Sequence, residues 1–309
     1  MVTLKNMIFF NIIANALLFF ILAGFYFPSN ILAQESLVFD TPTLKSQILG
    51  KEKHYSIYLP PGYSSSERTY PVVYLLHGGG QGPVVNKHKS WIQHGDLQRI
   101  VDSAIHKGTL SPMIIVMPNA EMTYYMNNIN GDYQFEDFFI KELIPHIEQN
   151  YRCRTEKRYR AIAGLSMGGF GALLYSLHHP TLFSASASLS GAVRTDEQIN
   201  ALSHQQFLRR FQIALGKIKE GEERITDFWN SNSILYLIEN MTEEQKNQVQ
   251  FYIDIGDDDY LYKGNSILHI MMRDANIDHE YRVRDGGHNW EYWRSGLEDA
   301  LSFINSNFR

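Results

Sequence analysis

After an apolar amino terminus, short hydrophobic runs bounded by turn residues alternate along the chain with segments whose apolar positions recur every three or four residues. This alternation predicts an α/β fold. Strands covered on both faces are apolar throughout, whereas each covering helix is apolar along one stripe. The segment His54 to Leu59 alternates polar and apolar residues before the turn Pro60-Pro61-Gly62, which predicts an early antiparallel strand. Tyr70 to Leu76 and Met113 to Met117 are continuous apolar runs, the pattern of strands buried on both faces. Between them Leu97, Ile100, Val101, Ala104 and Ile105 recur at helical spacing and predict a covering helix. A second helix is expected from Phe135 to Tyr151, with Phe138, Phe139, Leu143, Ile144 and Ile147 inward and Pro145 as a kink. Further strands are expected at Arg160 to Leu165, Ser184 to Leu189, Val249 to Ile255 and Tyr281 to Arg284. Helices are expected at Met167 to His178 and Asn289 to Phe308. The stretch from Arg194 to Asn247 is helical and polar with no sheet pattern, and reads as an insertion over one face.

The amino terminus adds a compartment. No charged residue occurs between Asn6 and Gln34, and Lys5 is the only charged side chain before that stretch. The apolar part, Met7 to Phe27, is interrupted by Asn11, Asn15 and Gly24, which weaken it as a membrane span. Ala33, just before Gln34 and Glu35, offers a cleavage point, so residues 1–33 are read as a signal peptide and 34–309 as one mature domain, secreted or periplasmic. Ile31 departs from the small-x-small preference, which leaves a retained anchor as the alternative. A single cysteine, Cys153, excludes an internal disulfide, and no cysteine near the apolar segment could carry a lipid. Cys153 is expected to be a structural thiol. With 44% hydrophobic and 20% charged residues over 309 positions the chain can bury a large core. A net charge of −5 gives no basic footprint, so nucleic acid is not expected as a partner.

Three motifs carry chemistry. Gly164-Leu165-Ser166-Met167-Gly168 lies between a predicted strand and a predicted helix, the context in which a serine is exposed as a nucleophile on a strained turn. His77-Gly78-Gly79-Gly80 directly follows a predicted buried strand. Its backbone N–H groups, with Gly79 and Met167 as the expected pair and Gly78 as neighbouring alternative, could hold a substrate oxyanion. His77 itself is expected to brace that loop. The base should come last in chain order, which selects His288 in Asp285-Gly286-Gly287-His288-Asn289-Trp290. The acid is sought among Asp254, Asp257, Asp258 and Asp259; Asp254 lies within a predicted strand, while Asp259 or Asp258, and also Asp257, sit on the loop beyond it. No zinc spacing occurs, the acidic cluster lacks the remaining ligands of a calcium loop, and neither metal nor cofactor is expected.

The elements Leu59-Pro-Pro-Gly-Tyr63, Tyr74-Leu-Leu-His-Gly78, Gly164-Leu-Ser-Met-Gly-Gly169, Gly256-Asp-Asp-Asp-Tyr260 and Gly287-His288 together resemble an esterase family of α/β-hydrolases. That family contains feruloyl and acetylxylan esterases, S-formylglutathione hydrolases, enterochelin esterases and mycolyltransferases. The resemblance runs from about Leu44 to the end. It implies an α/β-hydrolase fold and, from the last position of the family's Gly-x-x-Asp element, Asp259 as the triad acid. The stretch Gly256 to Arg294 is also similar to esterases that bacteria export to degrade plant polysaccharide. The glutathione-directed members are cytosolic, so the export signal argues against that branch. The expected activity is therefore serine carboxylic-ester hydrolysis that removes feruloyl or acetyl groups from plant cell-wall polysaccharide, with the ester-bearing carbohydrate as partner. Alternatives with the same triad are an acyltransferase and a siderophore or xenobiotic esterase; one of another class is a non-catalytic carbohydrate-binding protein. Trp290 and Trp229 are expected to bind substrate, with the insertion at 194–247 as one wall, and Trp293 is expected in the core.

Overall fold

The computed structural model describes residues 35–80 and 84–308; the export segment expected at 1–33 lies outside them. Nine strands, β1 (Leu37–Phe39), β2 (Thr43–Lys45), β3 (Glu52–Leu59), β4 (Val72–Leu76), β5 (Ile114–Pro118), β6 (Arg160–Leu165), β7 (Ala185–Leu189), β8 (Gln250–Gly256) and β9 (His279–Arg284), form the sheet among these residues. Their order is β1-β3-β5-β4-β6-β7-β8-β9, with β2 on β3. β3 runs antiparallel to β1, β2 and β5, and every other pairing is parallel. The continuous apolar runs became the central strands β4 and β5, buried along their whole length. β1 and β2 had no sequence signal, because three residues are too few to display a period.

Alternate side chains of these strands enter opposite layers. Val73 and Leu75 of β4 join a layer with helices α1 (Leu97–Lys107) and, from the far end of the chain, Leu297, Ala300, Leu301 and Ile304. Tyr74 and Leu76 join the other layer with the helix α2 that runs over 135–150, with α3 (Met167–His178) and with the insertion. Within the insertion, helix α4 (His204–Leu215) contributes Phe207 and Phe211 to that layer. Helices α5 (Tyr262–Asp274) and α6 (Trp290–Ser306) complete the two covers. Leu297, Leu301 and Ile304 are fully buried, each contributing roughly 1.5–3 kcal/mol by leaving water.

The kink expected at Pro145 takes the form of a widened turn. Proline has no N–H to close the normal helical ring, and the chain adopts π geometry over Phe139–Leu143, with the Ile144 N–H donating to the Phe139 carbonyl. The insertion is a series of short helices, three of them started by reciprocal caps at Thr195, Ser203 and Thr242. Among the described residues no helix is long and apolar enough to cross a membrane.

Candidate active site

β6 ends in a sharp turn at Ser166, whose φ of 54° and ψ of −116° are unusual for a residue with a side chain. The turn is held from both sides. The Ser166 N–H donates to the Leu189 carbonyl at 2.9 Å, and its own carbonyl accepts from Phe170 at 3.0 Å and Ala192 at 2.9 Å. Glycine is required on either flank because the strand and helix nearly touch. A Cβ on Gly164 would lie 2.4 Å from the Gly168 backbone, and one on Gly168 would lie 2.5 Å from the Leu76 carbonyl oxygen.

The turn lifts the hydroxyl toward His288. Ser166 Oγ lies 2.9 Å from His288 Nε2, and His288 Nδ1 lies 2.8 Å from Asp259 Oδ2. The arrangement is that of a hydroxyl donating to the imidazole, which in turn donates to the carboxylate. Asp259 is 1% exposed; its second oxygen accepts the Leu261 N–H at 2.9 Å. Burial alone would raise this carboxyl, but the hydrogen bond and charge of His288, with the Leu261 N–H and the Ser190 hydroxyl, hold it below its usual range. The His288 ring packs against Tyr260, at 4.7 Å, and stands nearly perpendicular to Trp293, at 4.9 Å.

The other aspartates have different employment. Asp254, fully buried in β8, receives Arg284 at 2.9 and 3.1 Å, the Tyr252 hydroxyl at 3.1 Å and the Tyr292 hydroxyl. Asp257 accepts the N–H groups of Asp258 and Gly286, and with Asp258 and Asp285 forms an exposed carboxylate cluster.

The Gly79 backbone, which lines the cleft, adjoins Met167: a Cβ on Gly79 would lie 4.0 Å from the Met167 Cβ. Met167 opens α3, so its N–H has no acceptor within the helix. His77 is 1% exposed and braces the loop, donating from Nδ1 to the Gly78 carbonyl at 2.8 Å and accepting the Ala120 N–H on Nε2 at 2.9 Å. That pattern requires a neutral ring, and burial pushes its pKa down to about 3. Cys153 is buried and its thiol is pushed up to about 12 by burial, which leaves it unreactive.

The cleft encloses about 510 Å³. Ser166 and His288 share it with an aromatic side, Tyr260, Trp290 and Trp293, and a polar side, Asn86, Lys87, Ser90, Gln93 and His94. Trp290 is half-buried, edge-on to Trp91 at 5.4 Å and to Trp293 at 5.2 Å. Trp293 serves core and cleft at once: it is 7% exposed and its indole N–H donates to Ser190 Oγ at 3.0 Å. Trp229 does not line this cleft. It is 4% exposed and packs edge-on to Phe211 at 5.3 Å, because an aromatic on a short amphipathic helix over a sheet gains most by burial. The polar wall likewise comes from 86–94, and no residue of 194–247 is among the lining residues described. Lys87, His94 and Tyr260 were missed from sequence. Tyr260 alone had a positional signal, since it directly follows Asp259.

The family model described as "Putative esterase" matches residues 46–304. The chain belongs to that family. This esterase-family chain is 35% identical over 164 residues to an endo-1,4-beta-xylanase/feruloyl esterase of Xylanibacter ruminicola, an alignment covering 51% of this chain and 22% of that protein. It is 28% identical over 263 residues to an esterase of Mycobacterium tuberculosis, covering 79% of this chain and 54% of the relative. A solved ferulic acid esterase superposes with a TM-score of 0.75 at 32% identity, over 89% of this chain and 99% of that one. The esterase-family chain thus has the α/β-hydrolase fold and spans about a fifth and about half of these two curated relatives.

Proposed function

We propose that the protein is a serine carboxylic-ester hydrolase that removes feruloyl or acetyl groups from plant cell-wall polysaccharide. The observation that carries this reading is the Ser166–His288–Asp259 hydrogen-bond series, at 2.9 and 2.8 Å, opening on a cleft lined by Gly79. Ser166 Oγ attacks the ester carbonyl while its proton passes to His288 Nε2. The imidazolium is stabilised by Asp259, and the oxyanion by the N–H groups of Gly79 and Met167. Collapse expels the sugar alcohol, which takes the proton from His288. Water then attacks the acyl-enzyme, giving its proton to His288; the acyl–Oγ bond breaks, His288 returns that proton to Ser166 Oγ, and the free acid leaves.

Kinship with proteins named feruloyl esterase supports the choice of acyl group. The aromatic side of the cleft, Tyr260, Trp290 and Trp293, suits a planar hydroxycinnamoyl group or a sugar ring. Export through residues 1–33 would bring the enzyme to its polymer. The test is a hydrolysis screen with methyl ferulate, acetylated xylan and short nitrophenyl esters on wild type and Ser166→Ala. Turnover should fall by about 10⁵–10⁶ in the variant. Wild type that turns over none of these esters and forms no covalent fluorophosphonate adduct refutes the proposal.

A further inference from the structure

Lys87 is an unusual residue to find buried beside a reacting serine. It belongs to the helical segment Val84–Lys89 and lines the cleft, yet only 5% of it is exposed. Its ammonium donates to the Gly79 carbonyl at 2.9 Å and to the Gly80 carbonyl at 3.2 Å. Withdrawing an ammonium from water is costly, and burial lowers its proton affinity, so the site must return the loss through the bonds it makes.

Two of those bonds fall on the glycine loop itself. A trans peptide points its C=O and the following N–H in opposite directions, so a group that grips a carbonyl also sets the direction of the next N–H. His77 grips the Gly78 carbonyl at 2.8 Å and thereby sets the Gly79 N–H. Lys87 grips the next two carbonyls, Gly79 and Gly80, and so fixes the 79–80 peptide and the direction of the Gly80 N–H, holding Gly79 from the side opposite His77. Glycine on both sides, with Gly80 at a φ of +82°, leaves the 79–80 peptide little intrinsic resistance to rotation. A rotated 79–80 peptide would release Gly79 on one side and let its donor N–H drift from the place where the oxyanion develops.

Resting on the esterase reading, we propose that Lys87 is a positioning residue for the oxyanion site: its ammonium, engaging the Gly79 and Gly80 carbonyls, pins the peptide that follows Gly79 so that the Gly79 N–H set by His77 stays toward the reacting carbonyl. It touches neither the ester nor the triad in this role.

The experiment compares wild type, Lys87→Met, which keeps the stem and loses the donors, and Lys87→Arg, which keeps charge and donors. kcat and KM are measured on the best ester of the screen, together with the affinity of an arylboronic acid, whose tetrahedral adduct on Ser166 mimics the intermediate, and the melting temperature. Loss of a whole oxyanion donor lowers kcat about 10²–10³-fold, so a loosened one should cost roughly 10–100-fold. Lys87→Met should show that loss with KM within about threefold and boronate affinity falling in parallel with kcat. Lys87→Arg should recover most of it. A folded Lys87→Met with kcat within about threefold of wild type, or one whose loss lies in KM alone, overturns the proposal. If Lys87→Met does not fold, Lys87→Gln replaces it, and wild-type kcat there also overturns it. An inactive wild type would sink the esterase reading itself, whereas an active wild type with indifferent Lys87 variants sinks only the role of Lys87.

Discussion

Replacing Asp259 by Asn changes one oxygen for an NH2 group and leaves volume and fold nearly untouched, so it isolates the carboxylate's electrostatic work. In the structure that carboxylate is buried and lies 2.8 Å from His288 Nδ1. In the proposed mechanism His288 becomes positive during acylation. With both charges spread over their groups the centres lie about 4 Å apart, and at an effective dielectric of about 20 the attraction is about 4 kcal/mol. At 1.36 kcal/mol per decade this is roughly a thousandfold in kcat, before any cost of the wrong imidazole tautomer. Asp258→Asn, at an exposed residue, should change kcat by less than about twofold. The assay is steady-state turnover of a nitrophenyl ester at matched Ser166 labelling. A loss below about tenfold for Asp259→Asn, or a larger loss for Asp258→Asn, refutes the reasoning.

Arg284→Met strips the buried Asp254 of its cation and leaves it tyrosine donors; with Arg284 partly exposed the cost should be about 3 kcal/mol, or roughly 6–12 °C in melting temperature. Adding Asp254→Asn should then cost less than the sum of the single losses, and strictly additive melts would sink the pairing. His178 donates from both ring nitrogens, to Glu136 and to the Ser231 carbonyl, each at 2.8 Å, which requires the imidazolium. Burial alone lowers its pKa, but the Glu136 hydrogen bond and charge raise it above the ordinary 6.5. A raised folded-state value stabilises fully below the unfolded one and is lost as pH rises through the folded one. Wild type should therefore exceed His178→Gln in melting temperature by more at pH 6 than at pH 9, and an advantage that grows with pH would contradict the assignment.

Much of this was legible because burial writes itself into the chain. β4 and β5 are continuous apolar runs since both their faces are covered, and Ser166 announced itself through the glycines that its tight turn demands. Chain order placed His288 last, and the family element separated Asp259 from its neighbours; the three lie within hydrogen-bond reach. What was not legible depends on how loops meet. Lys87 and His94 reach the cleft through a segment without a period, and no local pattern says that a lysine will bury itself on glycine carbonyls. Trp229 illustrates the converse: aromatic content near a predicted insertion says that a side chain is large and apolar, and such a side chain is more readily used for packing than for binding.

The site is assembled by parallelism more than by any single loop. β4, β6, β7, β8 and β9 run the same way, so the residues leaving each strand emerge at one edge of the sheet. Their register places Leu76 opposite Gly164, Leu165 opposite Leu189, Leu189 opposite Asp254 and Gly256 opposite Arg284. The loops that carry Gly79, Ser166, Asp259 and His288 therefore start within a few rungs of each other, and Ser166 and His288, 122 residues apart, close to 2.9 Å. Ser190, at the exit of β7, ties the bundle: its N–H donates to the Asp254 carbonyl, and its hydroxyl accepts the Trp293 indole and hydrogen-bonds Asp259. A slip of one rung anywhere between β6 and β9 would invert the alternation of side chains and move the histidine off the serine. The pair of buried Asp254 with partly exposed Arg284, spanning β8 and β9, sits where such a slip has to be prevented.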